Sequence, residues 1–153
     1  MIVSMDVTNN GGDGGQMSPT HETVCETYGK TPAYYVVDSG FSTIENITAV
    51  EELDSRVVAP MTHEDRITNR GGDPHACRTH DTDAMFAFRQ RMTTEDSKAI
   101  LKQRPSIVEY PNAFCHNRSL HQFRVRSLEK VRPATLWYAF TFNFLRKLHL
   151  GVL

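Results

Sequence analysis

The chain reads as an α/β layered sheet. Three observations predict this: apolar β-branched runs of strand length at residues 33–37 and 56–59, helical patterns with caps beside them, and turn residues at each junction. Ile2, Val3, Met5 and Val7 read as a first strand with no cap or turn ahead of it, followed by the turn cluster TNNGGDGG. Residues 16–28 read as a helix, with Gly29 placed to end it in a left-handed conformation. The run AYYVV at 33–37 is continuously apolar, aromatic and β-branched, which suits a strand buried on both faces. Ser39-Gly40 turns the chain, and Ser42 is placed to cap a second helix, STIENITAVEEL, with Glu45 three residues on closing a capping box. A short strand at 56–59 stops at Pro60, which completes a β-α-β-α-β order.

Residues 61–92 change character. THEDRITNRGGDPHACRTHDTDAMF is rich in Gly, Asp and His without periodicity, and is expected to be a long loop or surface insertion. A helix is expected from about Thr94 to Leu101, capped by Thr93 or Thr94 and broken or kinked at Pro105. The segment 133–150 reads as a C-terminal amphipathic helix with Pro133 in its first turn. Leu136, Trp137, Phe140, Phe144 and Leu148 recur in it at spacings of three and four, so core packing is their expected role. No internal repeat is evident.

At 153 residues the chain suits one domain. Its net charge of −1 hides a division: residues 1–88 hold 5 Lys+Arg against 14 Asp+Glu, a net of −9, and residues 89–153 hold 12 against 4, a net of +8. A polyanion bound on the second part accounts for this, and so does attraction between the two parts within one fold. Three widely spaced cysteines, Cys25, Cys77 and Cys115, form no disulfide framework and suit a reducing, cytoplasmic setting. The first residues lack the features of a signal peptide, and the most apolar stretch, ATLWYAFTFNFL, is too short to span a bilayer and is interrupted by Asn143. A soluble protein without a membrane partner is expected.

Two carboxylates carry the candidate chemistry. Asp38 follows the apolar run in YYVVDSGF, at the carboxyl end of a strand, where α/β sheets collect ligands. A turn or N-cap aspartate ahead of Ser39-Gly40 is the plain alternative. Glu109 follows Ile107-Val108, at the edge of an expected buried helical face, where a solvated helix carboxylate is the alternative. His116 lies two helical turns beyond Glu109, and Arg118, Arg124, Arg126 and Lys130 follow, with Phe114, Leu120, Phe123 and Leu128 as apolar anchors. Carboxylates that hold a divalent cation, followed by cations that hold phosphates, suit chemistry on DNA; a solvated basic face is the alternative.

The blocks VTNNGGDGGQMSPTHE, AYYVVDSGFSTIENI, RQRM-x-TED-x-KAILKQRPSIVE-x-PNA and NRSLHQFRVRSLEKVRPATLWYAFTFNFLRKL resemble consecutive parts of a bacterial insertion-sequence transposase of the DDE type, over nearly the whole chain. The resemblance implies the C-terminal part of an RNase H-like domain, a mixed sheet with helices that lacks its first strands and exposes an edge. In that family two Asp and one Glu bind two Mg²⁺ (or Mn²⁺) ions, which activate water or a 3′-hydroxyl for strand cleavage and strand transfer. Asp38 resembles the second of these carboxylates and Glu109 the third, and Arg104 matches an arginine ahead of the Glu. His116 stands where the family commonly has Lys or Arg and is cationic only part of the time near neutral pH. Pro111 removes a hydrogen bond to the Ile107 carbonyl and should kink the helix beside Glu109.

The first catalytic Asp of the family would precede Ile2. Asp6 resembles a residue of a later strand and does not replace it. The expectation is therefore a transposase fragment that neither cleaves nor joins DNA alone. Its implied partners are DNA, at transposon ends and target, and another copy or an intact transposase, at the bacterial nucleoid. A non-catalytic DNA-binding remnant and a decayed reading frame are alternatives. So is a zinc-binding protein, because His75, Cys77 and His80 lie in the ligand-rich 61–92 stretch, although their spacing matches no established zinc pattern.

Overall fold

A computed structural model of the chain describes residues 1–12, 14–118 and 123–152. They fall into two compact units, Gly12–Arg104 and a second made of Met1–Gly11 with Pro105–Leu153.

The first unit is built around a β-α-β crossover. Helix α1 (Met17–Tyr28) ends where Gly29 takes φ 60°, the left-handed conformation a glycine adopts without a Cβ penalty. Strands β1 (Tyr34–Val36) and β2 (Arg56–Val58) pair in parallel, Tyr35 opposite Val57, with helix α2 (Ile44–Glu51) between them in sequence. Helices α3 (Glu64–Asn69) and α4 (Asp83–Arg91) follow, and then α5 (Glu95–Asn117), whose first ten residues belong to this unit. The fold is thus helix-rich α/β with a small parallel sheet.

Its core is Met17 from α1, Ile47 and Val50 from α2, Val57, Val58 and Ala59 from β2 and beyond, and Met61, Met85, Phe88 and Met92. Each fully buried side chain of this size contributes about 1.5–3 kcal/mol. The buried Arg89, His21 and Ser55 side chains are bonded. Arg89 donates to both carboxylate oxygens of Asp81, at 2.7 and 3.2 Å, and to the Pro74 carbonyl at 3.2 Å. Burial pushes the Asp81 carboxyl up, but the Arg89 hydrogen bond, the Arg78 N–H and both arginine charges hold it below the usual range. Arg91 is ion-paired to Glu51 and also donates to the Val57 carbonyl, tying α4 to α2 and β2. His21, solvent-inaccessible, meets the Ser55 hydroxyl at 2.6 Å, and Ser55 donates to the Pro32 carbonyl.

Several sequence expectations need correction. Residues 2–7 form no strand. The Ile2 N–H donates to the Asn143 side-chain oxygen at 2.8 Å and the Asn143 amide donates back to the Ile2 carbonyl at 2.7 Å, so a helix side chain takes both backbone groups. Strand β1 is not buried on both faces: Tyr34 and Val36 are exposed and only Tyr35 packs inward, its ring edge-on to His21. The cap of α2 is Thr43, whose hydroxyl accepts the Asn46 N–H at 3.2 Å, while Ser42 donates to the Ser39 carbonyl. The 61–92 stretch contains α3 and α4. Thr82 caps α4 by accepting the Met85 N–H, and Met85 and Phe88 bury into the core. Its spaced apolar residues are too few to display a helical period in the sequence alone.

Pro105 does not end α5, which runs through both Pro105 and Pro111. The division between the units falls at Arg104/Pro105, where the missing proline N–H removes one rung of the helix. In the second unit, α5 from Pro105 packs on helix α6 (Leu128–His149) through rings: Phe114 with Phe142 at 5.1 Å and with Tyr138 at 5.7 Å, and Tyr110 with Phe142 at 5.6 Å. The Tyr138 hydroxyl donates to the Pro111 carbonyl at 3.2 Å, adding a polar tie between the two helices. Helix α6 starts five residues before Pro133, which lies inside it. Its covered face is Thr135, Tyr138, Ala139 and Phe142. Leu136, Trp137, Phe140, Phe144 and Leu148, expected in the core, are all exposed.

Candidate functional site

Asp38 follows β1 by two residues, at the carboxyl end of the strand. Its backbone remains extended (φ −77°, ψ 158°) and its carbonyl accepts the Phe41 N–H as the chain enters a short 3₁₀ turn at Ser39–Phe41. The carboxylate makes no capping bond to that turn, so it projects outward, 60% exposed. One oxygen, Oδ2, lies 2.6 Å from Arg104 Nη2, at the last residue of the unit. Arg104 is itself about four-fifths covered. Two of the residues singled out in the sequence therefore meet, but as an ion pair in which the arginine occupies the carboxylate.

Glu109 belongs to the second unit, on the stretch of α5 beyond Pro105, and is exposed. Its flanking residues Ile107 and Val108 are exposed too, so it does not border a buried helical face. The packed side of this stretch is formed by Tyr110, Pro111 and Phe114, through their contacts with α6. His116 is exposed near the end of α5. The Arg118 guanidinium lies 3.7 Å above the Phe114 ring, a cation–π contact that holds it against the helix. Arg124 and Arg126 are exposed in the segment leading into α6, and Lys130 is exposed in its first turn. Of the expected apolar anchors, Phe114 is packed, Phe123 and Leu128 are exposed, and Leu120 lies outside the described residues. Asp6 pairs with Arg132 at 3.4 Å.

A divalent-metal centre needs several oxygen donors converging on one point. Among the described residues no three His, Cys, Asp or Glu side chains gather in this way. Asp38 presents one carboxylate already in contact with a guanidinium, which does not fit a two-metal site. The zinc alternative is not assembled either. His75 Nε2 lies 3.8 Å from Glu64, Cys77 is exposed with its thiol toward the Arg78 carbonyl, and Asp81 is committed to Arg89. All three cysteines are free.

Sequence reasoning missed the outward face of α6. The helix carries two apolar stripes, one through 138, 139 and 142 and one through 137, 140, 144 and 148, both at helical spacing. A helix apolar on more than one side does not tell which side the rest of the chain covers. No helix among the described residues is long and apolar enough to cross a membrane. Comparison with models of known protein families, with curated proteins and with solved structures yields no match.

Proposed function

We propose that the chain is part of a DDE-type insertion-sequence transposase with an RNase H-like catalytic domain, and that residues 1–153 by themselves bind DNA without cutting or joining it. Support for the family comes from the four sequence blocks. The observation that carries the inactive half of the reading is the contact of Arg104 with Asp38, the carboxylate at the end of β1. A guanidinium at 2.6 Å satisfies the anion that would otherwise hold a metal, and no cluster of further ligands stands among the described residues to replace it. On this reading Mg²⁺ or Mn²⁺ chemistry belongs to the intact family enzyme. DNA binding rests on the exposed Arg124, Arg126 and Lys130, which follow one another over seven residues. The partners are then DNA and, through a shared site, an intact transposase.

The test is a supercoiled plasmid carrying transposon ends, incubated with purified protein and Mg²⁺ or Mn²⁺. No nicked product above background is expected, and the Asp38→Ala variant should behave identically. Nicking that disappears in Asp38→Ala would overturn the inactive reading. In a gel-shift series, duplex binding should weaken steeply with salt and survive Glu109→Gln. Arg124→Ala should lower the salt slope by about one. Salt-independent binding, or none at all, would remove DNA as the partner.

A further inference from the structure

We propose that the outward face of α6 is a surface for single-stranded DNA, where unpaired bases stack on Trp137, Phe140 and Phe144 while Lys130 and Lys147 hold phosphates at its two ends; this rests on the DNA-binding reading above and adds the form of DNA that is bound. Trp137 is 69% exposed, Phe140 59% and Phe144 45%, a contiguous aromatic patch that folding of the chain leaves uncovered. The rings are already arranged against one another: Trp137 edge-on to Phe140 at 5.7 Å, and Phe140 nearly parallel to Phe144 at 6.1 Å. A hollow of about 360 Å³ opens beside them, lined by Pro133, Leu136, Trp137 and Phe140.

The charges select the occupant. Residues seven apart on a helix share a face, about 10 Å apart along the axis. Lys130, Trp137 and Phe144 therefore form one row, and Pro133, Phe140 and Lys147 the row beside it. Both lysines are exposed. The first row is a cation followed by two rings, the second a proline and a ring followed by a cation, so the two cations stand at opposite ends. The helix as a whole carries Lys130, Arg132, Arg146 and Lys147 against Glu129 alone.

A second copy docked on this seam would oppose like charges. An antiparallel pairing sets Lys130 against Lys147, and a parallel one sets each lysine against itself. A single strand of nucleic acid brings negative phosphates to both ends and flat, π-faced bases to the rings between, a combination that needs no particular sequence. A duplex keeps its bases stacked inside and offers this face only phosphates.

Trp137 is the sole tryptophan of the chain, so its fluorescence reports on this surface alone. Titration of the full chain with oligothymidylate is expected to quench Trp137 emission, with a midpoint that rises with salt. Phe140→Ala and Phe144→Ala, both at exposed positions, should each weaken binding about tenfold, and Lys130→Gln with Lys147→Gln should flatten the salt dependence. Binding of mixed-sequence duplex without quenching, and no quenching by the single strand, would overturn the stacking surface while leaving the DNA-binding reading intact. Binding of neither form would overturn both. A blue shift of Trp137 emission that grows with protein concentration, accompanied by dimers in sedimentation and unaffected by oligothymidylate, would assign the face to a second copy and overturn the proposal.

Discussion

The two units solve the same folding problem with different completeness. In Gly12–Arg104 the apolar side chains of α1, α2, β2 and α4 converge on one core, and the charged groups inside are matched: Arg89 with Asp81, Arg91 with Glu51. Met1–Gly11 with Pro105–Leu153 covers one side of α6 with Tyr110 and Phe114, and leaves three large rings and three leucines of the same helix outside. Their charges differ in the same sense. Gly12–Arg104 holds 10 Lys+Arg against 15 Asp+Glu, a net of −5, and the other unit holds 7 against 3, a net of +4. Gly12–Arg104 exposes Tyr28, Leu53 and Phe86 at separate places, whereas the other unit sets Leu136, Trp137, Phe140, Phe144 and Leu148 on one helix. On the proposed reading, exposed apolar area beside positive charge makes the basic unit the one that meets DNA.

This contrast can be broken by mutation. The largest effects are expected inside Gly12–Arg104. Arg89→Met leaves the Asp81 carboxylate buried without its partner and should cost about 3–5 kcal/mol in urea unfolding followed by circular dichroism. Phe88→Ala, at 1% exposure, should cost a similar amount, about 3–5 kcal/mol, through lost transfer energy and the cavity left behind. In the basic unit, Asn143→Ala removes both bonds to Ile2 and should cost about 1–3 kcal/mol. Amide exchange at Ile2 would report the loss directly.

Acid should weaken the same acidic unit. Burial lowers the pKa of His21 from its ordinary 6.5, outweighing the opposing charge of Glu22. The unfolded chain therefore takes up a proton near pH 6.5 that the folded chain refuses, and stability falls as pH drops below about 6.5 toward the lowered folded value. His21→Gln should flatten that part of the profile. A second loss follows as pH falls below the ordinary Asp81 value of 3.8 toward its lowered folded one. The smallest effect sharpens the comparison most: Phe140→Ala should change stability by less than about 0.5 kcal/mol, since its ring is already in water. A large loss there would mean the ring is covered in solution.

Local features were the legible ones. The end of α1 at Gly29, the parallel-strand segments around 34–36 and 56–58, and a capped helix between them follow from residues within a turn of one another. The cap of α2 was displaced by one residue because Ser42 and Thr43 offer the same hydroxyl, and the Ser39 carbonyl takes the first. The candidate site was less legible. That Asp38 stands exposed at a strand end was readable from YYVVDSGF. That Arg104 would take its charge was not, because 66 positions separate the two in sequence. Pro105 read as a break or kink and Pro111 as a kink because a proline's local cost is certain, whereas the packing of Tyr110 and Phe114 on α6, which accompanies the continuous helix, involves residues far along the chain.

By itself, then, the sequence determined the end of α1, the two strand segments with a capped helix between them, the opposition of acidic and basic stretches, and the apolar residues spread around the last helix. These depend on capping, periodicity and composition, all of which act over a few residues. The tertiary structure decided which stripe is covered, that Asn143 holds the backbone of Ile2 across 141 positions, and that Asp38 faces a guanidinium. Each is a choice among partners equal in local preference, and only the packing of distant segments distinguishes them.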